Sequence, residues 1–157
     1  MKLTANITLD ELTKSQVAER KGINNNPSPE QIENLKGLAV NILQPVRSHF
    51  DKPLIISSGF RCPQLCLEIG SSVNSQHCAD EEAAAADFEI PGVDNKELGT
   101  WIRNNLEVDQ GILEFYKDGE PSSGWIHVSY SRNNNRQQWL RAMREEGKVI
   151  YKPWLGE

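Results

Sequence analysis

The stretch Trp125-Ile-His-Val-Ser-Tyr130 decides the fold that this sequence predicts. It is rich in β-branched and aromatic residues, as β-strands are, and residues 111–116 form a second stretch of this kind. The turn-forming residues 117–124 lie between the two. We therefore expect a β-hairpin in the second half of the chain. Two shorter strands are expected before it, at residues 54–58 and 86–90, the latter ending at Pro91-Gly92.

Helices are predicted mainly in the first half of the chain. Thr8-x-x-Glu11 is a capping box that opens a helix over residues 9–20, and Ser28-Pro-Glu-Gln31 opens a second, amphipathic helix. Pro45 should kink this second helix or begin a new turn. Further helices are expected at residues 63–70, 95–106 and 135–146, with a loop at 71–74 and a short extended tail over about 148–157.

This order of elements, helices first and strands later, predicts the α+β class. We expect a small antiparallel sheet with the N-terminal helices packed on it, in one domain that spans residues 1–157. A chain of 157 residues is long enough for one ordinary hydrophobic core.

Composition and charge exclude several classes of function. No apolar run approaches the roughly 20 residues that cross a bilayer, so we expect no membrane partner. The net charge is −5 and no long basic stretch offsets it, which argues against nucleic-acid binding. The first residues lack the apolar core of a secretory signal, so we expect a protein that is cytoplasmic at synthesis. We also expect a monomer.

Three separate segments supply side chains that can bind a metal ion. His77 follows Ser75-Gln76, Asp87 lies in the strand predicted at 86–90, and His127 lies in the strand that starts at Trp125. Two histidines and a carboxylate are a sufficient ligand set for catalytic zinc, which keeps a fourth position open for water or substrate.

Four segments in order, Ser58-Gly-Phe-Arg-Cys-Pro63, Ser75-Gln-His77, Ala85-Ala-Asp-Phe88 and Trp125-Ile-His-Val-Ser-Tyr130, resemble the M15 family of zinc D-Ala-D-Ala carboxypeptidases and endolysin L-Ala-D-Glu peptidases. The chain is most similar to the small phage-type branch of that family. The resemblance implies a Hedgehog/D-Ala-D-Ala-peptidase-like fold. It also implies a zinc peptidase that cuts the stem peptides of peptidoglycan.

The resemblance also implies roles for individual residues. His77, Asp87 and His127 would bind Zn²⁺. Arg61 would face the substrate, where a guanidinium can pair with a carboxylate, and Ser75 would line the site. Such an enzyme would reach the bacterial cell wall after holin-type release or lysis, or as part of a virion.

In some members of the M15 family, the catalytic carboxylate lies three residues before the last histidine. That position is Gly124 here, so the catalytic base must come from elsewhere. If Tyr116 pairs with Trp125 in the hairpin, Glu114 lies directly opposite His127, where side chains are about 5 Å apart. We therefore expect Glu114 to be the base. Asp109 is the rival candidate.

One feature departs from the family pattern. Nine residues separate His77 from Asp87, where the family has six. The three extra residues can form a loop or a helical turn that leaves Asp87 as the ligand, which we favour, or Asp80 can replace it.

Two other functions are also compatible with the sequence. Cys62, Cys66 and Cys78 with His77 could form a structural zinc site, although an odd number of cysteines in a chain without a signal favours reduced thiols. Alternatively, the longer loop could spoil catalysis and leave a wall-binding or virion structural module that retains the fold.

Overall fold

The computed structural model describes residues 1–72 and 74–155. Val73, in the predicted loop, and residues 156–157, in the predicted tail, lie outside the described residues. The elements in chain order are α1 (Leu9–Thr13), α2 (Gln16–Lys21), α3 (Pro29–Leu38), a π-helical turn (Ala39–Leu43), α4 (Gln44–Phe50), β1 (Ile55–Ser58), α5 (Pro63–Glu68), a 3₁₀ turn (Gln76–Cys78), β2 (Ala83–Glu89), α6 (Asn95–Asn105), β3 (Gln110–Glu114), β4 (Trp125–Ser131), β5 (Gln138–Glu145) and β6 (Lys148–Pro153).

The fold is α+β, as predicted, but its sheet is mixed rather than purely antiparallel. The six strands lie in the order β1-β2-β4-β3-β5-β6, and β3 and β5 are parallel while the other neighbouring pairs are antiparallel. The chain reverses once after β4 and enters β5 on the far side of β3. Since β4 is antiparallel to β3, this reversal makes β5 parallel to β3.

Both predicted capping boxes are present at the N-terminal ends of their helices. Thr8 and Glu11 cap α1, and Ser28 and Gln31 cap α3. The single helix predicted over residues 9–20 is wrong, because the backbone is extended at Lys14 and Ser15 starts a new helix by accepting a hydrogen bond from Ala18 N–H. A second N-cap therefore divides one apolar pattern into two short helices.

Pro45 begins a new helical segment, in agreement with the sequence. The helix passes through a π-helical turn at Ala39–Leu43 and resumes as α4, with Pro45 in the first turn. A proline cannot donate to the carbonyl four residues before it, and a wider turn accommodates that loss.

The helix predicted at residues 135–146 is wrong. These residues form β5, which is joined to β6 by a tight turn in which Glu146 and Gly147 have φ of 51° and 78°. Two consecutive residues with positive φ are typical of hairpin turns. The indole of Trp139 is buried against Trp154, with 5.6 Å between ring centroids. Pairing with β3 and burial of Trp139 outweigh the local helix propensity of residues 140–146.

The two faces of the sheet differ in what they carry. Helices α3 and α6 pack on one face. That face contributes Ala86, Phe88, Ile126 and Val128 to the core. Since side chains alternate along a strand, Asp87 and His127 point to the opposite face. None of the helices in the described ranges combines the length and the apolar composition that a membrane span requires.

We predict that Gly111→Ala destabilises the protein by about 1–3 kcal/mol. A Cβ at this position would collide with the Trp139 ring. The measurement is urea unfolding followed by circular dichroism. The cost should shrink in a Trp139→Leu background. An equal cost in both backgrounds would contradict the packing of β5 against β3.

Candidate metal centre

Three structural elements bring His77, Asp87 and His127 together. His77 lies in the 3₁₀ turn Gln76–Cys78, whose N-cap Ser75 accepts a hydrogen bond from the His77 backbone N–H. Asp87 and His127 are directly paired residues of the central antiparallel strands β2 and β4. Directly opposed residues share a face of the sheet, so the carboxylate and the imidazole are neighbours.

The distances in this cluster are those of a possible metal site. Asp87 Oδ1 lies 2.8 Å from His127 Nδ1 and 3.4 Å from His77 Nε2. One ligand atom from each of the three residues lies within 4.8 Å of the other two. Donors that are each about 2 Å from one ion lie roughly 3–3.5 Å apart in tetrahedral geometry. Small side-chain movements would therefore let the three residues hold one ion.

The backbone fixes which nitrogen of His77 faces the cluster. His77 Nδ1 is 2.7 Å from the carbonyl oxygen of Gly59, so the tautomer with a proton on Nδ1 donates this hydrogen bond. That tautomer leaves Nε2 with a lone pair directed toward Asp87. A carbonyl bonded to the far nitrogen of a ligand histidine is a common way to orient the ring toward a metal.

The electrostatics of the cluster favour the protonation states that a cation needs. Burial lowers the pKa of His77, although Asp87 partly opposes this shift, so the imidazole is neutral near pH 7. Burial alone would raise the pKa of Asp87, but hydrogen bonds with His127 and His77 outweigh it and hold that pKa well below its usual value. A neutral imidazole and an ionised carboxylate are the ligand forms of these residues.

Arg61 and Ser75 both border the cluster. The Arg61 guanidinium lies 3.6 Å from Asp87 Oδ2, its Nε donates to Ser58 Oγ, and its side chain is 17% exposed. Its backbone N–H donates to the carbonyl of His77. Arg61 therefore braces both Asp87 and the turn that carries His77. Ser75 caps the same turn and lines the cleft in front of the cluster.

The predicted register of the hairpin is wrong, by two residues. Trp125 pairs with Glu114 rather than with Tyr116, and His127 pairs with Ile112. A shift of two residues keeps Glu114 on the same face as His127, whereas a shift of one would have turned it away. Gly124 sets this register, because its φ is +64° and a Cβ there would collide with the Glu114 carbonyl oxygen.

Glu114 is thus a diagonal neighbour of His127 and lines the same cleft. Burial raises the pKa of its carboxyl group, and the negative charge of Asp87 adds to the shift, while the positive charge of Arg61 opposes it. The carboxyl group therefore holds a proton more readily than an exposed glutamate does.

Asp109, the rival base, is occupied by other partners. Its carboxylate accepts hydrogen bonds from the backbone N–H, Nε and Nη2 of Arg136, all at 3.0 Å, and from Gln76 Nε2 at 2.6 Å. Because Gln76 precedes His77, this network holds the histidine turn in place.

The extra residues between His77 and Asp87 are accommodated in a turn before β2 begins. Ala79, Glu81 and Glu82 have φ of 55°, 54° and 65°, so the extra residues form a turn, and β2 starts at Ala83, three residues before the predicted start. Asp80 accepts a hydrogen bond from Gln31 on α3 and is not part of the cluster.

The cysteines do not form a zinc site with His77. Within residues 1–72 and 74–155, His77, Asp87 and His127 form the one group of potential metal ligands. Cys66 Sγ and Cys78 Sγ are 3.2 Å apart in the core, and all three cysteines are free. Burial raises the pKa of the Cys78 thiol to about 12, so it does not supply a thiolate near neutral pH.

The cluster lies in a cleft of about 600 Å³ that is also lined by Arg136 and Tyr151. Neither residue is expected in the cleft from the sequence, whose local patterns predict Arg136 in a helix and Tyr151 in an extended tail. The one available sign was the Glu146-Gly147 dipeptide, which is compatible with a hairpin turn.

The family model for Peptidase M15 matches residues 5–129. This chain belongs to the M15 peptidase family. No curated protein shows a significant match to it. The matched range includes His77, Asp87 and His127 of this M15 peptidase, and it ends before Arg136 and Tyr151.

We predict that the wild-type protein binds one zinc ion per chain, and that His127→Ala and Asp87→Asn each reduce the content well below one. Each variant removes one of three ligands from the cluster. Metal content after dialysis is the measurement. His49→Ala is the control, because His49 stacks on Trp101 outside the cluster. Full metal content in His127→Ala would contradict the site.

We also predict that Asp109→Asn lowers the free energy of unfolding near pH 7 by roughly 1–3 kcal/mol. Burial alone would raise the pKa of Asp109, but bonds from Arg136 and Gln76 lower it below its usual value. Such a carboxylate stabilises the fold above its unfolded pKa of about 3.9, and this is lost as the pH falls through the folded pKa. Chemical unfolding from pH 7 to pH 3 should show the difference shrinking below about pH 4. A difference that does not change with pH would contradict the ion pair.

Proposed function

We propose that this protein is a zinc-dependent peptidase that hydrolyses a peptide bond in the stem peptide of peptidoglycan. The observation that carries the proposal is the His77, Asp87 and His127 cluster in an open cleft next to the partly buried carboxyl of Glu114. Membership of the M15 peptidase family supports it. The bond is either a terminal D-Ala–D-Ala bond or the L-Ala–D-Glu bond.

His77, Asp87 and His127 would hold the Zn²⁺. Two nitrogen donors and one oxygen donor suit zinc, and the cleft leaves room for water and substrate on the open side. A zinc ion held there would lower the pKa of a bound water molecule and polarise the scissile carbonyl. The His77 hydrogen bond to Gly59 and the Arg61 ion pair with Asp87 keep two of the three ligands in position.

Glu114 would act as the general base and then as the acid. Its burial raises its pKa toward the working pH, which suits a group that must both accept and release a proton. A proton taken up at the Glu114 carboxylate would pass to the amine that leaves when the peptide bond breaks.

Arg61 and Ser75 would orient the peptide at the edge of the cluster. Three Arg61 side-chain contacts are internal, to Ser58, Ser71 and Asp87, and its remaining N–H groups would serve a substrate carbonyl or carboxylate. Ser75 lines the same cleft and would hydrogen-bond the substrate while its hydroxyl caps the His77 turn.

The rival function is a wall-binding or virion structural module without activity. This alternative is suggested by the three extra residues between His77 and Asp87, which could disturb the site. Because the turn at 79–82 takes up those residues and the cluster still assembles, the geometry favours the peptidase. In the proposed setting the chain acts as a monomeric, one-domain enzyme of phage lysis, released to the wall by a holin or by lysis, or carried in a virion.

We predict that Glu114→Gln retains zinc and fold but lowers turnover at least a hundredfold, because the amide cannot accept the proton. The measurement is the release of new amino groups from purified peptidoglycan by zinc-loaded protein. Glu33→Gln is the matched control, since Glu33 is exposed on α3 away from the cleft.

Two outcomes would change this assignment. Turnover that survives in Glu114→Gln would move the base to another residue. A wild-type protein that binds one zinc ion yet cleaves no type of peptidoglycan would favour the structural module.

A further inference from the structure

The C-terminal hairpin adds residues to the cleft that lie beyond the family-matched range. Arg136 precedes β5 and Tyr151 lies on β6, and both line the cleft with His77, Glu114 and His127. The part of the chain that follows residue 129 therefore helps to determine what the cleft can bind.

Arg136 is held rigidly by a buried partner. The Asp109 side chain is 6% exposed and binds one edge of the guanidinium, through Nε to Oδ1 and Nη2 to Oδ2. Gln76 donates to the same carboxylate. This shared carboxylate fixes the position of the guanidinium relative to the turn that carries His77.

The outer edge of the Arg136 guanidinium remains available. Asp109 uses Nε and one N–H of Nη2, and none of the residues in the described ranges accepts a hydrogen bond from Nη1. Because a guanidinium has five N–H donors, its Nη1–Nη2 edge can still bind a second carboxylate with two parallel bonds. The Arg136 side chain is 53% exposed, so this edge is accessible to a ligand in the cleft.

Arg61 is less suited to the same task. Its side chain is 17% exposed, and it already contacts Asp87 and Ser58. Arg136 is the more accessible of the two guanidinium groups in the cleft, and it is held in a fixed orientation.

We propose that Arg136 is a substrate-binding residue that selects stem peptides by binding a free carboxylate, either that of D-Glu or that of the C-terminal D-Ala. This inference rests on the proposed function, which supplies the peptide class. If so, amidation of the recognised carboxylate should weaken binding of the peptide.

The test compares three synthetic peptides: L-Ala-γ-D-Glu-L-Lys-D-Ala-D-Ala with free carboxylates, its D-isoglutamine analogue and its C-terminal amide. Equilibrium binding to zinc-loaded Glu114→Gln protein is measured by calorimetry, so the readout does not depend on turnover. We expect one amidation to weaken binding about tenfold or more, as loss of a charged hydrogen-bonded pair does. When Arg136→Gln is added to the Glu114→Gln protein, the ratio of the dissociation constants of the amide and acid peptides should fall to about one.

Two further variants serve as controls. Arg136→Lys keeps a cation next to Asp109 but loses the planar fork, so it should show an intermediate ratio and serves if Arg136→Gln does not fold. Arg20→Gln makes the same charge change at an exposed position of α2 and should leave the ratio unchanged.

The outcomes separate this inference from the proposed function. The role of Arg136 is overturned if neither amidation weakens binding, if the ratio persists in Arg136→Gln, or if no peptide binds. If the ratio behaves as expected but the wild-type protein cleaves none of the peptides, the proposed hydrolysis fails and the carboxylate site stands. If the wild-type protein cleaves them without an effect of Arg136, only the carboxylate site fails.

Discussion

The direct pairing of Asp87 with His127 across β2 and β4 is the constraint on which the site depends. The pairing places a carboxylate oxygen 2.8 Å from an imidazole nitrogen without help from any loop. The register is set on the other face of the same strands, where Phe88 pairs with Ile126 and both are fully buried. A slip of one residue would expose that apolar set and separate the two polar groups. Burial on one face of the sheet therefore secures the chemistry on the other.

The third member of the cluster comes from a turn, which needs more support than a strand. The Gly59 carbonyl binds the imidazole of His77, the Arg61 N–H binds its backbone carbonyl, and Ser75 caps the turn. Gly59 is itself pressed against α1, since a Cβ there would collide with the Leu12 carbonyl oxygen. The first helix thus supports the His77, Asp87 and His127 cluster indirectly, although it contributes no residue to the cleft.

Charge in the cleft is arranged in pairs of different character. Asp87 and Arg61 lie largely out of water next to the histidines, so their pairing serves to hold the Asp87 carboxylate in position. Asp109 and Arg136 join a buried carboxylate to an exposed guanidinium, so the arginine is both fixed and accessible. Glu114 has no cation of its own among the described ion pairs, and burial raises its pKa. The differences between these three carboxylates follow from their surroundings, because all three carry the same chemical group.

The sequence by itself determined the α+β class, both capping boxes, the new turn at Pro45 and the residues of the cluster, because each is signalled by local spacing or by a short motif. Only the tertiary structure decided the C-terminal hairpin, where burial of Trp139 and pairing with β3 overrode helix propensity, and with it the presence of Arg136 and Tyr151 in the cleft. Tertiary contacts also brought Asp87 rather than Asp80 into the cluster and shifted the β3–β4 register by two residues, through Gly124 against the Glu114 backbone. Strand partners and registers depend on contacts between residues that are distant in sequence, and local patterns do not encode them.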